Sequence, residues 1–121
     1  MAAEYVKRAG RFAQCEMREI QPARFDVDAK HPSALKILLD PGGKRLDSFK
    51  FAELVGKTTE QARDLVFVIG GADGYPAGWR ENAGMLLSLS AMTLPHELAR
   101  VIVAEQIYRA FTILRGHPYA K

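Results

Sequence analysis

The chain has 121 residues, 48% of them hydrophobic and 26% charged, which is ordinary globular usage and excludes a disordered chain; the length points to one domain, residues 1–121. The net charge of +3 and pI near 9.2 suit a phosphate-bearing partner and suit simple solubility equally well. A lone cysteine, Cys15, excludes an intrachain disulfide and has no local Cys or His partners for a metal, and no run approaches the roughly 20 apolar residues of a membrane span.

Taken in chain order, MAAEYVKRAG lacks the apolar core of a signal peptide, so a cytoplasmic protein is expected. Ala3 to Phe12 reads as a short helix with Lys7, Arg8 and Arg11 outward. Cys15 to Ile20 alternates apolar and charged residues and predicts a half-buried strand. Gln21 to Ser33 is polar, holds two prolines, and reads as loop. Leu35 to Leu39 predicts a strand that ends in the turn Asp40–Pro41–Gly42–Gly43. Asp47 or Ser48 can cap a helix running to about Thr59. Leu65 to Ile69 is a continuous apolar run, as in a strand covered on both faces. The glycine-rich loop 70–74 follows, then a short helix over Pro76 to Gly84 and a strand over Met85 to Leu89. Pro95 to Leu114 is the longest helix, and residues 115–121 form a tail.

Alternating strands and helices, with apolar central strands, define an α/β layered domain with a mostly parallel sheet. Ligands in such sheets sit beyond the carboxyl ends of the strands. Three loops lie there: 40–43, 70–74, and 90–94. The last, Ser90–Ala91–Met92–Thr93–Leu94, connects strand to helix without Gly, Asn or Asp, the usual turn residues. Gly70–Gly71–Ala72–Asp73–Gly74 has the spacing of neither a dinucleotide fingerprint nor a phosphate loop. Its glycines fit a tight turn, or the close approach of a ligand to the backbone. His96 and His117 belong to no metal spacing, and hydrolase motifs are missing from the sequence, so no metal is expected. Along the long helix Glu105, Arg109 and Thr112 share one wedge, and Glu105 can pair with Arg109. The rest of that helix is apolar, which predicts cover from more than one direction and, for so small a domain, favours a homodimer.

Three stretches in order, FVIGGADG (Phe67 to Gly74), LSLSAMTLPHELARVIVAEQIYRAF (Leu87 to Phe111) and HPY (His117 to Tyr119), resemble the RlmH-type (YbeA-like) members of the SPOUT methyltransferases. The likeness covers the second half of the chain, with weaker agreement through LLDPGGK (Leu38 to Lys44) and EYVKRAGRF (Glu4 to Phe12). The resemblance implies a homodimer with a C-terminal trefoil knot. It implies S-adenosylmethionine as cofactor and N3 of a pseudouridine in large-subunit ribosomal RNA, on the assembled ribosome, as the methyl acceptor. Carried onto this chain, cofactor contacts come from Leu39 and Asp40, from Gly70 and Gly71, and from Leu89, Ser90, Ala91, Met92, Thr93, Leu94 and Pro95. A base or charge-stabilising donor near N3 is sought among His117, Tyr119 and Arg109. The bland alternatives are that Arg109 only pairs with Glu105 and that His117 only anchors the tail. Arg8, Arg11, Arg115 and Lys121 are the candidate RNA phosphate contacts, and the tail of one subunit is a candidate to complete the pocket of the other. The chain departs from the family pattern at its start, where a further strand is usual, in a shorter segment 21–33, and in Ala120 where a histidine is usual. Those departures keep open a non-catalytic knotted dimer, or a methyltransferase with a different RNA substrate.

Overall fold

The structure, a computed structural model, describes residues 1–18, 32–70 and 74–120. Gly71, Lys121 and all but the last two residues of the loop expected over Gln21 to Ser33 lie outside the described residues. Among the described residues seven elements follow in order: α1 (Ala2–Ala9), β1 (Leu35–Arg45), α2 (Ser48–Glu60), β2 (Leu65–Val68), α3 (Trp79–Asn82), β3 (Met85–Ser88) and α4 (His96–Leu114), with a 3-10 turn at Pro118–Ala120.

The sheet of the described residues is three-stranded and parallel, in the order β2-β1-β3. It bears out the α/β expectation. One face carries Leu35, Ile37, Leu65, Phe67, Met85 and Leu87. These pack against Phe51, Ala52 and Val55 of α2 and Ile107, Ala110 and Phe111 of α4. Period-two alternation along the strands produces that single face, and burial of these side chains is the main force holding the helices to it. Asp47 caps α2 as expected, its side chain accepting the Lys50 N–H at 2.8 Å.

Helices α2 and α4 run side by side in the same direction. Ser48 Oγ meets Gln106 Oε1 at 2.8 Å at one end, and a Cβ on Gly56 would lie 3.0 Å from Leu114 Cδ2 at the other. The first turns of α4 therefore project about 15 Å beyond the start of α2, at about 1.5 Å per residue. Helix α1 covers another side of α4 through aromatic contacts: Tyr5 with Tyr108 at 6.2 Å, and Phe12 stacked on Phe111 at 5.7 Å. The expected multiple cover of α4 is thus supplied in part by the chain itself.

Three expectations need correction. β1 does not end at Leu39. Both Leu39 and Lys44 register with Leu87 of β3, so Asp40 to Gly43 form an excursion from a strand that then resumes. Of the strand expected over Cys15 to Ile20, the described residues 15–18 form none: they join no ladder, and Met17 is 40% exposed. The helix expected over 76–84 shortens to Trp79–Asn82, because Gly78 at φ 87° cannot sit inside a helix. On α4, Thr112 is fully buried, with Oγ1 donating to the Arg109 carbonyl at 2.6 Å.

Candidate cofactor cleft and C-terminal tail

The three strands are parallel, so the excursion of β1 and the segments that follow β2 and β3 gather at one end of the sheet. There they enclose a cleft of about 450 Å³. That is within the range of small-molecule sites. Of the expected cofactor residues, Leu39, Asp40, Gly70, Leu89, Ser90, Met92, Thr93 and Leu94 line it. Ala91 and Pro95 are exposed and do not. The Ser88 hydroxyl donates to the Ser90 carbonyl at 2.9 Å, and Ser90 Oγ accepts the Met92 N–H at 3.0 Å. This local turn directs Ala91 away from the cleft, and it supplies the turn chemistry that the loop's composition hides.

Sequence reasoning missed Ile69, Tyr75, Arg80, His96 and Ala99, which also line the cleft. The Tyr75 hydroxyl lies 2.6 Å from the Leu39 carbonyl, 2.9 Å from that of Val68, and accepts the Gly70 N–H at 3.1 Å. Burial pushes the phenol's pKa up, with the two backbone hydrogen bonds opposing. A Cβ on Gly70 would stand 3.1 Å from the Tyr75 ring. The want of a side chain at Gly70 is therefore explained at least partly by Tyr75 itself. A glycine followed by an aromatic within the same loop was the available signal. Asp40 accepts the Gly42 N–H at 2.9 Å and one Arg80 nitrogen at 3.3 Å, placing a carboxylate and a guanidinium side by side at the cleft.

The tail is built separately. Gly116, at φ 68°, turns the chain as α4 ends, and the His117 N–H returns to the Thr112 carbonyl at 2.8 Å. The tail then folds back along α4. Tyr119 packs edge-on to Tyr108 at 4.6 Å and donates its hydroxyl proton to Glu105 Oε2 at 2.9 Å. Arg109 grips the same carboxylate through Nε at 3.0 Å and a terminal nitrogen at 2.8 Å, and its guanidinium lies 5.3 Å from the Tyr119 ring centre. Both residues are polarised by this arrangement. Hydrogen bonding to Glu105 raises the Arg109 pKa, while burial, then hydrogen bonding to Glu105, raises that of Tyr119. The expected Glu105–Arg109 pair is present, and the His117 ring does anchor the tail, its Nδ1 accepting the Tyr119 N–H at 3.2 Å.

His117, Tyr119 and Arg109 are brought together with one another but not with the cleft of their own chain. Glu105 stands about 14 Å along the helix axis from His96, where α4 meets the cleft. Of the candidate RNA contacts, Arg8 pairs with Glu4 at 2.7 Å and lies near the Tyr5 and Tyr108 rings, while Arg115 lies over Phe12 at 5.7 Å. Arg8 and Arg115 thus border the aromatic cluster that joins α1 to the end of α4, and Arg11 is exposed on the turn after α1. Among the described residues no group of three or more His, Cys, Asp or Glu side chains converges as at a metal site, and no helix is long and apolar enough to cross a membrane.

The raised Tyr119 pKa has a consequence for stability. Below the usual tyrosine pKa of about 10 both folded and unfolded chains hold the proton; above it the unfolded chain releases it first and binds fewer protons than the folded one. Stability is therefore expected to fall as pH rises above about 10, and to fall less steeply in Tyr119→Phe. Urea unfolding across that pH range, compared between the two proteins, measures the difference; equal slopes would reject the assignment.

A parallel α/β sheet with a ligand cleft at its carboxyl edge and a folded-back tail defines the class of site. The family model described as predicted SPOUT methyltransferase matches residues 1–120. The chain belongs to the SPOUT methyltransferase family, whose fold includes the C-terminal knot that the resemblance implied. Within it, the chain is 57% identical over 121 residues to the ribosomal RNA large subunit methyltransferase H of Solibacter usitatus, covering 100% of this chain and 87% of that protein. It is 43% identical over 132 aligned positions to the protein of the same name from Chromobacterium violaceum, covering 96% of this chain and 85% of the relative. For Gloeobacter violaceus the values are 42% identity, 97% and 85%.

Proposed function

We propose that this chain is an S-adenosylmethionine-dependent methyltransferase of large-subunit ribosomal RNA. Its methyl acceptor is N3 of a pseudouridine, and it acts as a cytoplasmic homodimer in which the tail of one protomer completes the cleft of the other. The observation that carries the reading is the coincidence of the cleft with the cofactor residues expected from the family likeness: eight of them line one space at the strand ends. The relatives named for methylation of large-subunit ribosomal RNA support it further.

The residues present fit the cofactor. Leu39, Ile69, Leu89 and Leu94 offer an apolar surface for a planar base, and the main chain around Ser90 and Gly70 stands close to the cleft without bulky side chains. Asp40 and Arg80 offer opposite charges to the amino-acid end. S-Adenosylmethionine supplies a methyl group activated on a sulfonium. The chain's own work is to hold the acceptor in line and dry, and to take or stabilise the charge that appears as the N3 proton leaves. Tyr119, Arg109 and His117 form a polar cluster suited to that task, but not within their own chain's cleft. Met92 at 76% exposure and Leu98 at 48% sit on and beside the projecting first turns of α4. A second copy packed there covers them and brings its tail to the cleft.

The direct test is to incubate large ribosomal subunits lacking the modification with the protein and S-adenosylmethionine, then map the RNA by mass spectrometry. One added methyl on a pseudouridine is expected. An unmodified pseudouridine with methyl found elsewhere rejects the substrate, and calorimetric cofactor binding without any transfer favours the non-catalytic reading. RNA affinity is expected to fall steeply with salt, and Arg115→Ala to reduce the slope of log affinity on log salt by about 1. Filter binding at four or five salt concentrations measures both; an unchanged slope removes Arg115 from the phosphate contacts.

A further inference from the structure

We infer that Tyr75 is the positioning residue of the cofactor cleft: its hydroxyl sets the backbone at Leu39, Val68 and Gly70 in the arrangement that binds the cofactor. The inference rests on the function proposed above and concerns a residue that no motif in the chain picks out. Three backbone groups, from Leu39 where the excursion of β1 begins, from Val68 at the end of β2 and from Gly70 just beyond it, converge on one phenol oxygen. The Leu39 carbonyl lies at 2.6 Å, the Val68 carbonyl at 2.9 Å, and the Gly70 N–H donates at 3.1 Å. Leu39 and Gly70 both line the cleft, as does Tyr75. β1 and β2 are neighbours in the sheet, with ladder pairing from Leu35↔Leu65 through Leu38↔Val68. Just past that last pair the ladder stops, and the phenol bridges the two strands where their backbones would otherwise diverge.

A phenol has one proton and two lone pairs. It can accept from Gly70 and donate to only one carbonyl at a time, the Leu39 contact being the shorter. The oxygen therefore ties the Gly70 donor to one carbonyl at a time, the nearer being that of Leu39, a link phenylalanine cannot replace. The ring contributes separately. It lies against Gly70 so closely that a Cβ there would be 3.1 Å from Cζ and 3.2 Å from Cε1. Position 70 and position 75 are consequently one unit. Any side chain at 70 pushes the ring, and the ring carries the hydroxyl away from Leu39. Gly74, at φ 74°, supplies the backbone turn that brings Tyr75 back over the strand ends.

Calorimetry with S-adenosylhomocysteine on the full chain tests the inference. Tyr75→Phe is expected to weaken binding about tenfold, with the thermal midpoint little changed, and in turnover assays to raise KM for S-adenosylmethionine while leaving KM for RNA as it was. Gly70→Ala is expected to weaken binding too. The double variant is expected to be no worse than the more severe single one, because both act through the same contact. A merely structural role would lower the thermal midpoint and leave the ratio of the two KM values unmoved. Unaltered affinity in Tyr75→Phe, tighter binding, or additive losses in the double variant would each overturn the inference while the proposed function stands. If the unaltered protein binds no S-adenosylhomocysteine, the proposed function fails and the inference fails with it.

Discussion

Mixing two inactive variants is expected to restore methyltransferase activity. Thr93→Trp obstructs the cleft at an exposed lining residue, so folding is undisturbed. Tyr119→Ala removes the ring that packs on Tyr108 and the hydroxyl held by Glu105. Each homodimer is expected to lose activity by about 100-fold or more, the scale of a missing acid–base group or of a blocked cofactor site. In the proposed two-fold dimer each cleft would face the other chain's tail. A heterodimer of the two variants then has one site with both defects and one with neither. Random pairing makes about half the dimers mixed, each with one good site, so about a quarter of full activity returns. If each tail served its own cleft, every site would carry a defect and mixing would restore nothing. Co-refolding the variants at equal amounts and assaying methyl incorporation separates the outcomes. The geometry favours recovery, since Tyr119 is fastened at Glu105, about 14 Å along α4 from the helix end that borders the cleft.

Gly43→Ala is expected to be the most damaging methyl addition in β1. An added Cβ would lie 2.6 Å from both the carbonyl carbon and oxygen of Leu86 and 2.8 Å from the Leu87 nitrogen. Those are backbone atoms of β3, which cannot swing aside as a side-chain tip would. Gly43 is where β1 rejoins β3 after its excursion, immediately before Lys44 registers with Leu87. The added methyl must therefore push the two strands apart or abolish the return. Overpacking of this kind costs about 1–3 kcal/mol. The excursion carries Asp40 and Pro41 to the cleft, so cofactor affinity is expected to fall along with stability. Gly42→Ala is the control: its Cβ would meet only Asp40 Oδ2, at 3.1 Å, the end of a side chain. Urea midpoints that drop for both variants alike would show that the close approach at Gly43 is not the cause.

Local signals were legible in the sequence where one residue suffices to make the structure. Asp47 caps α2 because its side chain needs only an N–H three residues on. The long helix α4 and the apolar strand β2 come from periodicity and run length. The cleft residues were legible at the level of loops, through the rule that parallel sheets bind at their carboxyl ends, and residue by residue only through the family likeness. What escaped depends on contacts remote in sequence. DPGG is a turn by every local criterion, and it does turn; only β3, some 40 residues later, draws Lys44 and Arg45 back into the ladder. Tyr75 carries no motif, because a phenol becomes a cross-tie only after two strand ends have been brought within reach of it. Ala91 was expected at the cleft with its neighbours, and the Ser88–Ser90–Met92 hydrogen bonds turn it outward.

The clasp at Glu105 bears on how quickly a shared site can form. One carboxylate receives Tyr119, Arg109 and the Gln106 amide, and the Tyr108 ring backs the tail. A tail that had to become ordered only on meeting its neighbour would spend on the order of 1 kcal/mol or more of conformational entropy per residue at that moment. Here that entropy is lost earlier, during folding of the single chain. In the proposed dimer two protomers would meet as rigid bodies with their tails already set, and assembly of the dimer and assembly of the complete site would be the same event.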